Sequence, residues 1–232
     1  MRHQRSLHIL STRIHHDIED LRQIVDLTER YLKKEVARLE KRVAKELKEL
    51  SSEEEREYMI GWYTNDFVRL DRVYPIIQRR ALFTTLMCMT EADLLFACQV
   101  CHRAFEISTE FKKKRNGRLI DQALSYLCDH LTIRDRAIKP YWQSLQNLWS
   151  IRNALVHNDG KPKRSELRQI SEFCAPIPTL ELDKDNRIVF KEGSVQMALH
   201  QVHCFFSRLI AEIKRNKLPT PAQRIVKKDG FR

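Results

Sequence analysis

The sequence predicts a mainly all-α fold: a bundle of four to five helices with a small β-hairpin insert and a long N-terminal helix. Apolar residues recur three or four positions apart along most of the chain, which is the spacing of one helix face. The 232 residues include only five glycines, which favours long helices and few turns. Hydrophobic residues make up 42% of the chain, which is enough for a packed core.

A long amphipathic helix is predicted over residues 7–50, within an N-terminal segment, 1–52, that contains no Gly or Pro. The faces between its apolar positions are dense in Lys, Arg and Glu, and an extra residue near Glu35 interrupts a coiled-coil repeat. Two interpretations stay open: the helix packs on its own domain, or it is a dimerisation arm. Its apolar positions are Ile14, Ile18, Leu21, Val25, Leu32, Val36, Leu39, Val43, Leu47 and Leu50.

A helical domain is predicted over residues 53–217. The serines and glutamates of residues 51–55 form a capping-box pattern that starts its first helix. Pro75 is predicted to open a long apolar helix that reaches residue 107, because proline fits the first turn of a helix. A basic loop and an amphipathic helix over residues 119–131 follow. The loop contains Lys112, Lys113, Lys114 and Arg115.

The carboxyl half of this domain is predicted to hold two more helices and the hairpin. One helix spans residues 140–160, from a proline to a glycine, and the other spans 194–214. Between them, residues 180–182 and 187–190 flank an Asp-Lys-Asp-Asn turn and predict the β-hairpin. Residues 218–232 combine prolines with basic residues, and we expect a flexible tail there.

Charge and cysteine usage indicate the kind of partner and the compartment. The chain has 42 Lys and Arg against 31 Asp and Glu, a net charge of +11, which favours a polyanionic partner. No run of about 18 apolar residues is present, so we expect no membrane-spanning segment. The first thirty residues lack the apolar core of a signal peptide. Six cysteines without a secretory signal are typical of reduced thiols, so a cytoplasmic location is expected.

The stretch of residues 151–160 carries the most informative side chains. Arg152 falls near the centre of the apolar stripe of its helix, which advances by about 100° per residue. A guanidinium stays charged, so Arg152 needs an acidic partner, a polar cleft or an anionic ligand. His157 lies about 140° around the helix from Arg152 but one turn after Asn153, on the same side. It occupies the last turn, where the carbonyl groups favour a positive imidazolium.

Arg152, Asn153 and His157 resemble the R-x4-6-H motif of the HEPN (higher eukaryotes and prokaryotes nucleotide-binding) domain superfamily. The resemblance covers roughly residues 55–215. It implies a metal-independent endoribonuclease in which these three residues are catalytic, RNA is the substrate and no cofactor is needed. It also implies a homodimer whose two motifs face one composite cleft. A toxin or antiviral-defence role follows from the resemblance, with an antitoxin or regulatory partner as a further expectation.

An Arg-His site suits RNA cleavage without a metal. The ribose 2′-hydroxyl is an internal nucleophile beside the scissile phosphate. The His157 imidazole can remove its proton or protonate the leaving 5′-oxygen, since an imidazole exchanges protons near neutral pH. The Arg152 guanidinium can hold the phosphate and stabilise developing charge. We therefore predict 2′,3′-cyclic phosphate and 5′-hydroxyl ends.

Acidic and basic residues elsewhere supply candidate partners for this site. Glu91 and Asp93 lie at the margins of the apolar stripe of the third predicted helix. An acidic residue on the corresponding helix of the superfamily approaches the arginine, so both are candidate partners of Arg152; a solvated helix flank is the alternative. Basic residues beside the site and in the loop are candidate RNA contacts. They are Lys161, Lys163, Arg164, Lys112, Lys113, Lys114 and Arg115.

Two other functions stay open. The first is a HEPN-fold RNA-binding or protein-interaction module without turnover, with the N-terminal helix as its docking arm. The second rests on Cys98, Cys101 and His102, which match the C-x-x-C-H pattern of c-type haem and offer half of a zinc site. Because no export signal and no clear second ligand pair accompany them, no metal is predicted. A second pair would have to come from His200, His203 and Cys204.

Overall fold

The computed structural model describes residues 2–216, apart from the side chains of Arg2, His3 and Asp135. Within that range it has seven α-helices, one π-helical turn and a two-stranded antiparallel sheet. The mainly all-α class, the long N-terminal helix and the small β-hairpin are thus confirmed. The tail predicted over 218–232 lies outside the described residues. The helices are α1 (Arg2–Glu49), α2 (Glu53–Val68), α3 (Tyr74–Ala104), α4 (Leu119–His130), α5 (Asp135–Asn158), α6 (Leu167–Cys174) and α7 (Ser194–Arg215).

Contacts along the chain divide it into two compact units. The first unit contains residues 2–18, 87–146 and 200–216 of the described chain, and the second contains residues 19–86 and 147–199. The candidate catalytic residues Arg152, Asn153 and His157 at the carboxyl end of α5 belong to the second unit, and so do the basic residues that follow α5. Both candidate acids and the basic loop before α4 belong to the first unit.

The core of the first unit is built from apolar faces of α1, α3, α4 and α7. The Trp142 ring of α5 packs on Phe205 of α7, with the ring centroids 5.6 Å apart. The carboxylate of Glu212 on α7 is buried too, and Arg134 donates hydrogen bonds of 2.8 and 3.0 Å to its two oxygens. Other buried side chains of this core are Leu10, Ile14, Ile18, Leu94, Cys98, Leu127, Phe206 and Leu209.

The core of the second unit joins α3, α5 and α6 to the hairpin. Strands β1 (Leu180–Leu182) and β2 (Ile188–Phe190) pair antiparallel, with Leu180 opposite Phe190. Phe190 packs on Phe83 of α3, with ring centroids 5.0 Å apart. In the turn, a carboxylate oxygen of Asp183 accepts the backbone N–H groups of Asp185 and Arg187, which lowers the pKa of Asp183. This turn confirms the predicted hairpin.

The start of α2 confirms the predicted capping box. The Ser52 hydroxyl accepts the N–H of Glu55, and the Glu55 carboxylate accepts the N–H of Ser52. No residue of α2 is buried, and its side chains Tyr58 and Trp62 are 72% and 68% exposed. The capping box therefore fixes where α2 begins, while burial contributes little to the stability of this helix.

α2 and α3 form one continuous helix, joined by a π-helical turn over Arg69–Val73. The prediction that Pro75 opens a separate helix is therefore wrong. A proline lacks the backbone N–H and its ring clashes with the carbonyl four residues earlier. Just before it, the N–H of Tyr74 bonds to the carbonyl of Arg69, five residues back. This wider turn accommodates Pro75 without ending the helix.

The continuous helix Glu53–Ala104 is long and apolar enough to cross a membrane by length and composition. In its most apolar stretch, 44% is buried inside the fold. A helix from the core of a protein meets the same criterion. The expectation that the chain has no membrane-spanning segment thus stays a prediction.

Two helices differ from the sequence prediction in the carboxyl half. α5 begins at Asp135, five residues before the predicted start at Pro140. The hydrogen bond that Pro140 cannot form would go to the carbonyl of Arg136, an exposed residue in the first turn, so the helix tolerates the proline. α6 is not predicted from the sequence, because eight residues are too few to show a helical period.

Candidate active site

The carboxyl end of α5 positions the candidate residues. Leu148, Ile151 and Ala154 are buried and hold this end of the helix against the second unit. The helix ends at Asn158, and the next two residues, Asp159 and Gly160, have positive φ values of 49° and 80°. The Gly160 N–H bonds to the carbonyl of Ala154 at 2.9 Å. The chain thus turns sharply two residues after His157, close to the predicted end.

Among the described residues, Arg152 has an amide and an aromatic ring as its neighbours and no carboxylate. Its Nη1 donates a hydrogen bond of 3.1 Å to Asn153 Oδ1. Its guanidinium carbon lies 5.5 Å from the centroid of the Trp149 ring, and its Nε is buried without a hydrogen-bond partner. Within residues 2–216 no ion pair involves Arg152. A half-buried guanidinium is therefore held in place, and no carboxylate in the described part of the chain neutralises its charge.

His157 and Asn153 lie on one side of α5, one turn apart, and His157 is exposed while Asn153 is half-buried. Arg152 donates its hydrogen bond to the amide oxygen of Asn153, the residue one turn before His157. Helical geometry alone separates Arg152 from His157 by about 140°. The side-chain amide of Asn153 therefore links the cation to the helix side that carries the imidazole.

Asp93 has a cation of its own in the first unit. It is only 2% exposed, and its Oδ1 lies 3.4 Å from Arg13 Nε. The pKa of Asp93 is raised to about 7, mainly by burial and then by the neighbouring Asp17, while Arg13 opposes the shift. Asp93 thus pairs with Arg13 within the first unit, and its pairing with Arg152 stays a prediction. Glu91 is half-buried on the same helix and forms no ion pair among the described residues.

The predicted basic RNA contacts are all exposed. Lys161, Lys163 and Arg164 follow directly after the turn that ends α5. The basic loop of the first unit is ordered by Gln122, whose Oε1 accepts the Lys114 N–H at 2.7 Å and whose Nε2 donates to the Asn116 carbonyl at 2.9 Å. Both runs therefore present their charges to solvent. The remaining members of the loop are Lys112, Lys113 and Arg115.

Two arginines that sequence reasoning missed converge on Asp159, two residues after His157. Arg80 Nη1 lies 3.8 Å from Asp159 Oδ1, and Arg187 is hydrogen-bonded to the other oxygen of Asp159. Arg80 Nη2 also donates to the carbonyl of Ile188 at 3.2 Å. A Cβ at Gly160 would lie 3.1 Å from Arg80 Nη2, so any other residue here would crowd the end of this arginine. These residues come from three distant parts of the chain, and no local pattern relates them.

The C-x-x-C-H pattern lies in the core of the first unit. Cys98 and Cys101 are fully buried, and burial raises the pKa of each thiol to about 12. The Cys98 thiol donates to the carbonyl of Ala123 at 3.5 Å. Residues 2–216 contain no group of three or more His, Cys, Asp or Glu side chains arranged to hold a metal ion. Both thiols therefore act as small core residues that stay protonated at neutral pH.

No known protein family matches the chain, and no curated protein and no solved structure is significantly similar to it. The likeness to the HEPN motif rests on Arg152, Asn153 and His157 and on their place in the last turns of α5. Any function assigned to these residues has to be argued from their chemistry.

Proposed function

We propose that this protein is a metal-independent endoribonuclease of the HEPN type, which acts as a cytoplasmic toxin or antiviral-defence effector. One observation carries the proposal: a guanidinium that no carboxylate of residues 2–216 pairs with, bonded to an amide on the helix side that carries an exposed imidazole. Arg152 supplies the cation, Asn153 the amide and His157 the imidazole. Such a set matches a phosphodiester whose nucleophile is the adjacent 2′-hydroxyl.

In this mechanism Arg152 binds the scissile phosphate. A guanidinium offers a fork of N–H donors that fits two phosphate oxygens, and its charge stabilises the negative charge that develops on them. The Trp149 ring and Asn153 Oδ1 keep the guanidinium in position before the substrate arrives. Binding the phosphate therefore requires little reordering of Arg152, which favours the transition state.

His157 acts as the proton-transfer group. Its exposure at the end of α5 lets RNA reach the ring. The reaction needs one group to take the 2′-hydroxyl proton and another to protonate the leaving 5′-oxygen. We propose that the second group is His157 of a second copy, in a two-fold homodimer with a composite cleft. Lys161, Lys163 and Arg164 then track the RNA backbone on either side of that cleft.

A second function, RNA binding without turnover, is favoured by a specific observation. A single copy presents one imidazole, His157, at this end of α5. If the protein stays a monomer with RNA, the second proton-transfer group is missing and the same arginine and lysines form a binding surface only.

The test is cleavage of end-labelled RNA in excess EDTA by the full chain, with the product ends mapped and the oligomeric state measured by light scattering. We expect cyclic phosphate and 5′-hydroxyl ends from the wild type. His157→Ala should slow cleavage about 10²- to 10⁴-fold, the usual contribution of a general acid or base. His8→Ala is the matched control, since it removes an exposed imidazole from the first unit and should leave the rate unchanged.

Two results would reject the ribonuclease proposal. One is a rate unchanged by His157→Ala. The other is the absence of cleavage by a folded protein that still binds an RNA of the same length, which would favour the binding module. A 2′-deoxy substitution at the mapped site should block cleavage, because it removes the nucleophile.

A further inference from the structure

A groove of about 420 Å³ lies between the middle of α1 and the π-helical turn, within the second unit. One wall comes from α1, and the other from residues 66–74 at the end of α2, in the π turn and at the start of α3. Its volume falls in the range of roughly 300–1,000 Å³ that is usual for small-ligand sites. Single π-helical turns inserted in longer helices are also frequent at functional sites.

The groove carries more positive charge than its own acids neutralise. It is lined by three arginines, Arg38, Arg42 and Arg69, and by two acids, Glu35 and Asp66. Glu35 is hydrogen-bonded to Arg38 on the same helix, so this pair is neutral. Asp66 lies 4.0 Å from Arg69 Nη1, which is too long for a hydrogen bond.

Among the described residues, Arg42 forms no ion pair with a carboxylate; its guanidinium carbon lies 5.0 Å from the centroid of the Tyr63 ring. Within residues 2–216, the side chains of Arg42 and Arg69 donate no hydrogen bond. Both are exposed, and both line the same groove. Two guanidinium forks thus line one groove, and their planar geometry suits the paired oxygens of an anion such as phosphate.

The rest of the groove is apolar and aromatic. Leu39 is 5% exposed, and Leu70 is half-buried. The Tyr74 side chain lines the groove although 44% of it is exposed to solvent. An exposed tyrosine ring provides a flat surface on which a planar group can stack.

We propose that this groove binds a small organic phosphate, a phosphate monoester that carries a planar ring. Arg42 and Arg69 bind the phosphate, and Tyr74 stacks on the ring above the leucines. The proposal is independent of the ribonuclease mechanism, since it uses none of the residues of the α5 site.

The experiment is isothermal titration of the full chain with adenosine 5′-monophosphate, inorganic phosphate and adenosine as separate probes. We expect the monophosphate to bind at one site per chain, at least about tenfold more tightly than either part alone, because each part contributes more than 1.4 kcal/mol. Arg42→Gln and Arg69→Gln should each weaken the monophosphate about tenfold, as for a lost hydrogen bond to a charged group. Tyr74→Leu should weaken the monophosphate and leave inorganic phosphate unchanged.

Arg168→Gln is the matched control. It removes one positive charge from a side chain of α6 that is 90% exposed and does not line the groove. The Arg168→Gln variant should bind the monophosphate as tightly as the wild type does. Arg42→Lys keeps the charge but loses the two-pronged geometry, and should fall between the wild type and Arg42→Gln. Thermal unfolding of each variant checks that the fold is retained.

The proposal is overturned if the monophosphate produces no binding heat at millimolar concentration. Equal affinity for inorganic phosphate and the monophosphate would also overturn it, because the ring would then contribute nothing. A third contrary result is affinity unaltered in Arg42→Gln and Arg69→Gln but lost in Arg152→Gln, which would move the ligand to the α5 site.

Discussion

Two half-buried arginines of the second unit have opposite environments. Arg79 on α3 meets Glu29 through two hydrogen bonds, of 2.6 Å from Nε and 2.7 Å from Nη2, and the two side chains are only 15% and 11% exposed. Arg152 on α5 meets an amide oxygen and a tryptophan ring. Both side chains are arginines and both are half-buried. A carboxylate balances the charge of Arg79, whereas no described carboxylate balances the charge of Arg152.

This difference separates an arginine that serves the fold from one that is available to a ligand. A two-pronged pair such as Arg79 with Glu29 uses the donors that would otherwise bind an anion. Arg152 keeps its charge, and the cost of burying that charge is offset only in part by Asn153 and Trp149. An incoming phosphate would complete its environment. Three predictions test whether the two arginines differ in this way, and a fourth concerns the buried carboxyl of Asp93.

The largest effect is expected at the paired arginine. Glu29→Gln leaves the Arg79 guanidinium buried without a counter-charge, which should lower the free energy of unfolding by about 3–5 kcal/mol. Urea denaturation measures this change. Glu19→Gln breaks an exposed pair with Arg22 and should cost less than about 1 kcal/mol, so it serves as the control. Equal effects of the two substitutions would contradict the assignment of Arg79 to the fold.

The next effect concerns activity. Arg152→Gln removes a charge that no described carboxylate neutralises, so the free energy of unfolding should change by less than about 1 kcal/mol. RNA cleavage should fall about 10²- to 10³-fold, which is the usual cost of losing one group that stabilises transition-state charge. Unfolding and cleavage are measured on the same preparation. A variant as unstable as Glu29→Gln would show instead that Arg152 supports the fold.

A smaller net effect is expected when both partners of the structural pair are replaced. Glu29→Leu combined with Arg79→Met removes both charges together, and a buried ion pair replaced by apolar residues is often close to neutral in stability. The double variant should therefore unfold within about 1 kcal/mol of the wild type. Instability equal to the sum of the single substitutions would show that the two residues act independently.

A further effect comes from Asp93 and appears in the pH dependence of stability. Because the folded protein raises the pKa of Asp93 from 3.8 to about 7, it binds this proton more tightly than the unfolded chain does. The stability contributed by the proton is complete below pH about 4 and is lost as the pH rises through about 7. The free energy of unfolding, measured by urea denaturation, should therefore fall between pH 5 and pH 8 in the wild type. Asp93→Asn should abolish the part of this fall that comes from Asp93. Its cleavage rate should match the wild type, since its cation is Arg13.

Local patterns in the sequence were sufficient for the fold class. The period of apolar residues predicts α1 and α7 closely, and the Ser52 capping box and the Asp-Lys-Asp-Asn turn predict where α2 begins and where the hairpin bends. Pro75 was misjudged because a proline at the start of a helix and one after a π turn leave the same local pattern. The π turn is a backbone adjustment that no residue type specifies.

Contacts between residues far apart in the chain could not be predicted from the sequence. A helix-face argument shows that Asp93 needs a cation, but it does not distinguish Arg13 from Arg152. Arg80 and Arg187 reach Asp159 only because the hairpin and α3 pack at the end of α5. Arg152, Asn153 and His157 all lie on α5, so helical spacing alone predicts how they are placed around that helix.

The turn after α5 also restricts how this sequence can vary among natural relatives. Gly160 has a φ of 80° that other residues adopt only with strain, and a side chain there would displace Arg80. Its carbonyl accepts the Ile188 N–H at 3.0 Å, so the displacement would extend to the hairpin. Relatives that keep this site should therefore keep Gly160 together with Arg80, while Lys161, Lys163 and Arg164 remain free to exchange lysine for arginine and to shift by a position.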